Sequence, residues 1–188
     1  MTRQGKIRII GGKWKRRHIS FPSIPDLRPS PDAVRETLFN WLGQSLEGKS
    51  CLDLFAGSGA FGLEAVSRGA SWVDMVELNR VAARSLSDTV KLLGEKEAVN
   101  VVSMDWKAFL EKSDQKYDII FLDPPFKKPI LETTCNALID AGCLNDGAQV
   151  YIESPKSNTP LPIPPTWHII RETTRGMVKS TLIMTASQ

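Results

Sequence analysis

Short apolar runs alternate with segments of helical spacing between residues 50 and 153. Cys51-Leu52-Asp53-Leu54-Phe55 reads as a buried strand, followed by a glycine loop and a helix to about Arg68. The spacing then predicts a strand over Trp72–Glu77, a helix over Arg80–Leu93 and a strand over Asn100–Met104. A short helix from Trp106, a strand over Tyr117–Leu122, a helix over about Pro129–Ala141 and a strand over Ala148–Glu153 complete the series. Strands alternating with helices imply an α/β fold whose mostly parallel sheet is covered on both faces. Pro155 to Pro165 holds five prolines and excludes a helix. Two strand-like segments, Trp167–Thr174 and Met177–Thr185, close the chain and are expected to pair as an antiparallel edge hairpin.

Ahead of this series, Ile7–Ile10, Gly11-Gly12 and Lys13–Ser20 read as a short hairpin with a glycine turn. A proline-rich connector leads to Ser30-Pro31-Asp32, a helix start with Ser30 as the expected N-cap. Val34, Leu38, Trp41 and Leu42 then mark an amphipathic helix over 31–45. The expected division is a basic hairpin and connector over 1–29 and a ligand-binding domain over 30–188.

Charge sharpens that division. Residues 1–35 carry nine Lys or Arg against two acids, whereas the whole chain of 188 residues has a net charge of only +3. A basic arm on a mildly acidic body points to a polyanionic partner such as nucleic acid. Arg8, Lys13, Lys15, Arg16 and Arg17 are candidate phosphate contacts, and Trp14 a candidate for stacking on an unpaired base. No apolar run approaches the ~20 residues that cross a bilayer, so no membrane partner is expected. Three cysteines without a C-x-x-C pair, and two histidines that begin no metal motif, argue for a reducing, cytoplasmic setting and no metal.

Three motifs carry chemistry. Asp53-Leu54-Phe55-Ala56-Gly57-Ser58-Gly59-Ala60-Phe61-Gly62 places G-x-G-x-x-G between strand and helix, where glycines let the backbone approach a ligand. Dinucleotide enzymes share that loop. Asp53, four residues before the first glycine, favours instead a ligand with a cationic ammonium, as in S-adenosylmethionine. Glu77 ends the second strand and can accept bonds from ribose hydroxyls, which NAD and S-adenosylmethionine both possess. Asp105 ends the third strand, where it can meet an adenine amino group or simply cap the next helix; Leu78 and Trp106 offer apolar faces. Asp123-Pro124-Pro125-Phe126 follows an apolar strand. The Asp123 carboxylate and the Pro124 carbonyl present two acceptors to the two hydrogens of a planar amine, and Phe126 can stack on its base. The arrangement points to methylation of an exocyclic amine.

Those motifs resemble the class I methyltransferases that act on exocyclic amines. Arg8–Trp14, Leu27-Arg28-Pro29 through Asp32, Val34–Leu42, the glycine loop and Asp123–Phe126 together resemble one branch, the RsmD-type enzymes. The resemblance implies a class I Rossmann-like sheet with an antiparallel terminal strand, S-adenosyl-L-methionine as cofactor, and guanine N2 of bacterial 16S rRNA as acceptor. It also implies that Arg28 to Leu42 covers the methionine end of the cofactor. Free 16S rRNA or the assembling small subunit is the expected partner of a monomeric enzyme. Rivals are a DNA adenine or cytosine amino-methyltransferase, for which the chain is short of a recognition domain, and a noncatalytic RNA-binding assembly factor. A protein glutamine methyltransferase is a third, although that group has Asn before the two prolines.

Overall fold

The computed structural model describes residues 4–25, 27–126 and 129–186. Arg3 and Asp26 of the basic arm lie outside them. Two strands, β1 (Gln4–Arg8) and β2 (His18–Pro22), form a separate antiparallel sheet. Helix α1 (Asp32–Leu42) follows. The αβ series then runs β3 (Ser50–Asp53), α2 (Ala60–Ser67), β4 (Trp72–Val76), α3 (Arg80–Leu93) and β5 (Val99–Val102). It continues with α4 (Trp106–Leu110), β6 (Tyr117–Leu122), α5 (Leu131–Asp140) and β7 (Leu144–Pro155), and closes with β8 (His168–Arg175) and β9 (Val178–Met184).

The seven-stranded sheet has the order β5-β4-β3-β6-β7-β9-β8. Strands β3 to β7 run parallel, while β9 is antiparallel to both β7 and β8. The closing hairpin is therefore present, but its second strand sits inside and β8 forms the edge. Chain direction across the sheet reverses between β3 and β6, and at such a switch point a crevice opens beyond the carboxyl ends of the strands.

Alternation within each strand builds two cores. Cys51, Met75, Ile119, Phe121, Tyr151 and Leu182 face α1, α2, α3 and the N-terminal hairpin. Leu52, Val76, Ile120, Leu122, Ile152 and Ile183 face α4 and α5. Ile7, Ile9, Ile19 and Phe21 of the hairpin join the first of these, so the small sheet is packed onto the domain.

The tip of the hairpin departs from the simple turn expected. A 3-10 turn spans Gly12–Trp14, and Ile9 to Arg17 forms a loop rather than ladder. The backbone N–H groups of Ile10 and Gly11 donate to Glu64 of α2, at 2.8 and 2.7 Å, instead of to a partner strand. Glu64 is wholly buried and also accepts from Arg35 (3.2 Å) and Arg68 (2.9 Å). Four donors on one carboxylate satisfy a charge that would otherwise be costly to bury. Gly12 is required at the contact: its φ is +72°, and a Cβ there would lie 1.7 Å from the Ser67 carbonyl oxygen.

Candidate active site

Strand ends at the switch point carry acids. Asp53 ends β3 and is 2% exposed; its Oδ2 accepts from the Gly62 N–H at 2.9 Å. Burial pushes its pKa up to about 7, with Glu77 adding to the rise and the Gly62 bond opposing it. Above it the loop turns through Gly57 (φ +52°) and Gly59 (φ +80°); a Cβ on Gly59 would strike Leu86 at 2.5 Å. Ala56 donates to the Val76 carbonyl and Gly59 to the Ala56 carbonyl, which fixes the loop against β4. Ser58 is buried within it and Phe55 is half-buried.

Glu77 follows β4. Its Oε2 accepts from the Gly57 N–H (2.8 Å) and its Oε1 from the Asn79 N–H (2.6 Å). The carboxylate is thereby pinned to the glycine loop, and each oxygen retains a further acceptor position. Asp105 caps α4, accepting from the Lys107 N–H at 2.9 Å. The capping reading is thus realised, with one carboxylate oxygen left over. Trp106 packs on Phe55 with ring centroids 6.2 Å apart, and Leu78 is 65% exposed.

Asp123 follows β6 and is partly exposed. Its Oδ2 receives a long, weak bond from the Ser30 hydroxyl at 3.4 Å. Burial raises its pKa well above the usual carboxylate range, reinforced by Glu153 and Asp53 and opposed by Ser30. Pro124 is buried, whereas Pro125 is exposed and Phe126 is 44% exposed. The loop is rigid at its prolines and open at its aromatic ring.

Ser30 is not the helix cap expected of it. Pro31, extended at φ −56° and ψ 151°, occupies the cap position and the helix starts at Asp32. Arg35 donates to the Ser30 carbonyl at 3.2 Å, to the Arg8 carbonyl at 3.0 Å and to Asp32 at 2.6 Å. The Ser30 hydroxyl is left to reach Asp123. The connector therefore crosses to the Asp123–Phe126 loop, and Glu64 anchors it through Arg35.

The Conserved hypothetical protein 95 family matches residues 7–184. The chain belongs to this family. Ribosomal RNA small subunit methyltransferase D of Escherichia coli is 42% identical over 186 residues, covering 98% of this chain and 92% of the relative. The protein of the same name from Haemophilus influenzae is 38% identical, covering 93% and 92%. The solved structure of Escherichia coli yhhF superposes with a TM-score of 0.89 at 40% identity, covering 98% of this chain and all of that one.

In this Conserved hypothetical protein 95 member the predicted site residues fall into two places. Asp53, the loop from Phe55 to Gly59, Glu77, Leu78, Asp105, Trp106 and Asp123–Phe126 all lie at or just beyond the carboxyl ends of parallel strands. Arg28 is exposed on the connector that leads to Ser30. The basic hairpin tip lies elsewhere. Trp14 and Gly11 bond Ser67 at the end of α2, and Lys13 pairs with Glu95 just beyond α3. Those helix ends lie at the amino edge of the sheet, about 12 Å from the glycine loop along the eight residues of α2. Arg8 pairs with Asp32 at 2.9 Å, and Trp14 is half-buried with Lys13 over its ring at 4.5 Å. Lys15, Arg16 and Arg17 are exposed.

Sequence reasoning missed Ser30, Arg35, Glu64 and Glu153 as parts of the site. Glu153 was legible in principle, since it ends an apolar run, Val150-Tyr151-Ile152, as Asp123 ends another. No group of three or more His, Cys, Asp or Glu among the described residues is arranged to hold a metal.

Proposed function

We propose that this chain transfers a methyl group from S-adenosylmethionine to the exocyclic N2 amine of a guanine in 16S rRNA. The observation that carries the reading is the Asp123-Pro124-Pro125-Phe126 loop, partly open and steered by Ser30, beside an acid-flanked glycine loop. Relatives named for small-subunit rRNA methylation support the substrate.

The residues present fit the cofactor. Asp53, Asp123 and Glu153 form an acidic cluster at the strand ends, and no ion pair to any of them occurs among the described residues. Such a cluster suits a ligand bearing an ammonium and a sulfonium and repels a pyrophosphate. S-adenosylmethionine supplies the electrophilic methyl. Asp53 faces its cationic end, and Glu77 takes the ribose hydroxyls. Leu78 and Trp106 flank the adenine, with Asp105 at its amino group. Asp123 and the Pro124 carbonyl accept hydrogen bonds from the two amine hydrogens and turn the nitrogen lone pair toward the methyl, while Phe126 stacks on the base. The S–CH3 bond would break to leave S-adenosylhomocysteine as the N–CH3 bond forms, and one amine proton would then pass to Asp123 or to solvent. The base enters unpaired or flipped out.

Lys15, Arg16 and Arg17 hold RNA phosphates at the far edge of the domain, so the bound RNA runs along the hairpin rather than touching only the catalytic end. A monomer in the cytoplasm suffices for this scheme, and no described helix is long and apolar enough to cross a membrane. The test is tritiated-methyl transfer to free 16S rRNA, to partly assembled small subunits and to DNA, followed by nucleoside digestion. N2-methylguanosine from rRNA or subunits supports the reading; label in DNA alone, or in a ring nitrogen, overturns it.

A further inference from the structure

Glu153 is a buried acid that amine orientation does not use. Its strand is in register with β6, Phe121 opposite Tyr151 and Leu122 opposite Ile152. The next step along both strands brings Asp123 and Glu153 side by side, at about the 4.8 Å spacing of paired strands. Glu153 is 5% exposed and lines a cleft of about 540 Å³ together with Pro124, Pro125, Phe126, Ser154 and Asn158. Its Oε1 accepts from the Tyr151 hydroxyl at 3.0 Å, and that hydroxyl is 3.0 Å from the Ser180 hydroxyl. The acid is thus held in place from behind, by the sheet.

Ser30 has one proton to donate; its hydroxyl reaches Asp123 at 3.4 Å and is also near enough to Glu153 to oppose the rise in that acid's pKa. One of the two acids therefore lacks that donor at any moment. Burial raises the pKa of both, as expected for acceptors waiting on donors. Pro124, Phe126 and Glu153 line one cleft, and Asp123 directly precedes Pro124 at the end of β6.

We propose that Glu153 reads the acceptor base by accepting the N1–H that neighbours the N2 amine of guanine. This inference rests on the guanine N2 reading above. The chemistry is selective because guanine alone among the four bases places a ring N–H beside its exocyclic amine. Adenine and cytosine place a ring-nitrogen lone pair there, which would face a carboxylate oxygen and lose its own hydrogen bond. The ionised carboxylate is acceptor-only, so the charged form is the one that discriminates; a protonated Glu153 could donate its O–H to a ring lone pair. Tyr151 and Ser180 act as positioning residues for it.

The test replaces the acceptor guanine by 2-aminopurine, which keeps the N2 amine but carries a lone pair at N1. Small-subunit particles reconstituted from ligated rRNA carry either base, and methyl transfer is measured with wild type and Glu153→Gln. Wild type should favour guanine by on the order of 10- to 100-fold, the discrimination that one hydrogen bond to a charged group provides. Glu153→Gln, whose side-chain NH2 can donate to N1, should bring the ratio to within about threefold of unity. Equal use of the two bases by wild type overturns the proposal without any variant. So does a Gln variant that loses transfer to both in equal proportion, since that marks a merely structural role. If wild type places its methyl on another atom or base, the guanine N2 reading itself has failed, and that result is distinct from the other two.

Discussion

Cofactor binding should expel a proton from Asp53. The carboxyl lies 2% exposed beneath the glycine loop, and burial carries its pKa from 3.8 to about 7. Ionising it in the empty fold therefore costs about 4 kcal/mol more than in the unfolded chain. Between those two pH values the folded state holds more protons than the unfolded state. This contribution thus weakens the fold as pH rises from about 4 to about 7, and is constant above. An ammonium brought beside the carboxylate reverses the balance. At pH 7 about half of the molecules carry the proton, so binding should release about half a proton per cofactor, approaching one at pH 6. Apparent affinity should rise about tenfold per pH unit below 7 and level off above it. Calorimetry at pH 6 in buffers of different ionisation heat reads the release directly. Asp53→Asn keeps the size and the acceptor for Gly62, removes the charge, and should abolish both the release and the pH slope while weakening binding. Equal proton release by wild type and Asp53→Asn would refute the argument, because the proton would then come from another acid of the cluster.

Asp123→Asn should lower methyl transfer by about 100-fold or more, the scale of losing one placed electrostatic group, with little change in calorimetric cofactor affinity. Near-normal turnover would reduce the loop to a turn. Replacing Lys15, Arg16 and Arg17 by Ala should flatten the plot of log RNA affinity against log salt by about 2, since each phosphate contact contributes roughly 0.7 to 0.9; an unaltered slope would remove the tip from the RNA path. Arg35→Met strands Glu64 in the core and should cost about 3–5 kcal/mol in urea unfolding. A loss under about 1 kcal/mol would show that Arg68 and the backbone donors suffice.

Where local pattern and tertiary structure agree, the sequence reads cleanly. Helix α3 and strand β6 have the bounds their spacing predicts, because both are closed by local chemistry: Asn79 caps α3 through Val81 and Ala82, Gly94 ends it in left-handed conformation, and Pro124 follows β6. Disagreements trace to long-range partners. The turn at Gly11-Gly12 is consistent with a simple hairpin until Glu64, fifty-odd residues away, takes its N–H groups. Strand β7 begins earlier than expected, through the polar Asn145-Asp146-Gly147, whose exposure hides any alternation. The insertion of β9 between β7 and β8 is a pairing choice that periodicity does not contain. Asp105 shows a limit of another kind, since an acid ending a strand and capping a helix has one position and two uses.

The Asp123–Phe126 loop and the basic arm are joined by a chain of contacts. Glu64 binds the backbone of the hairpin at Ile10 and Gly11, and binds Arg35 from the helix that follows the connector. Arg35 holds the carbonyls of Arg8 and Ser30, and Ser30 presents its hydroxyl to Asp123. A buried carboxylate satisfied by four donors is a poor source of net stability compared with apolar packing of the same volume. Its value here is geometric: it fixes where the connector passes Asp123. Displacing the hairpin would loosen Arg8, then Arg35, then the hydroxyl that steers Asp123. On the proposed function, RNA docked on the arm would meet an Asp123–Phe126 loop whose position depends on that arm being seated.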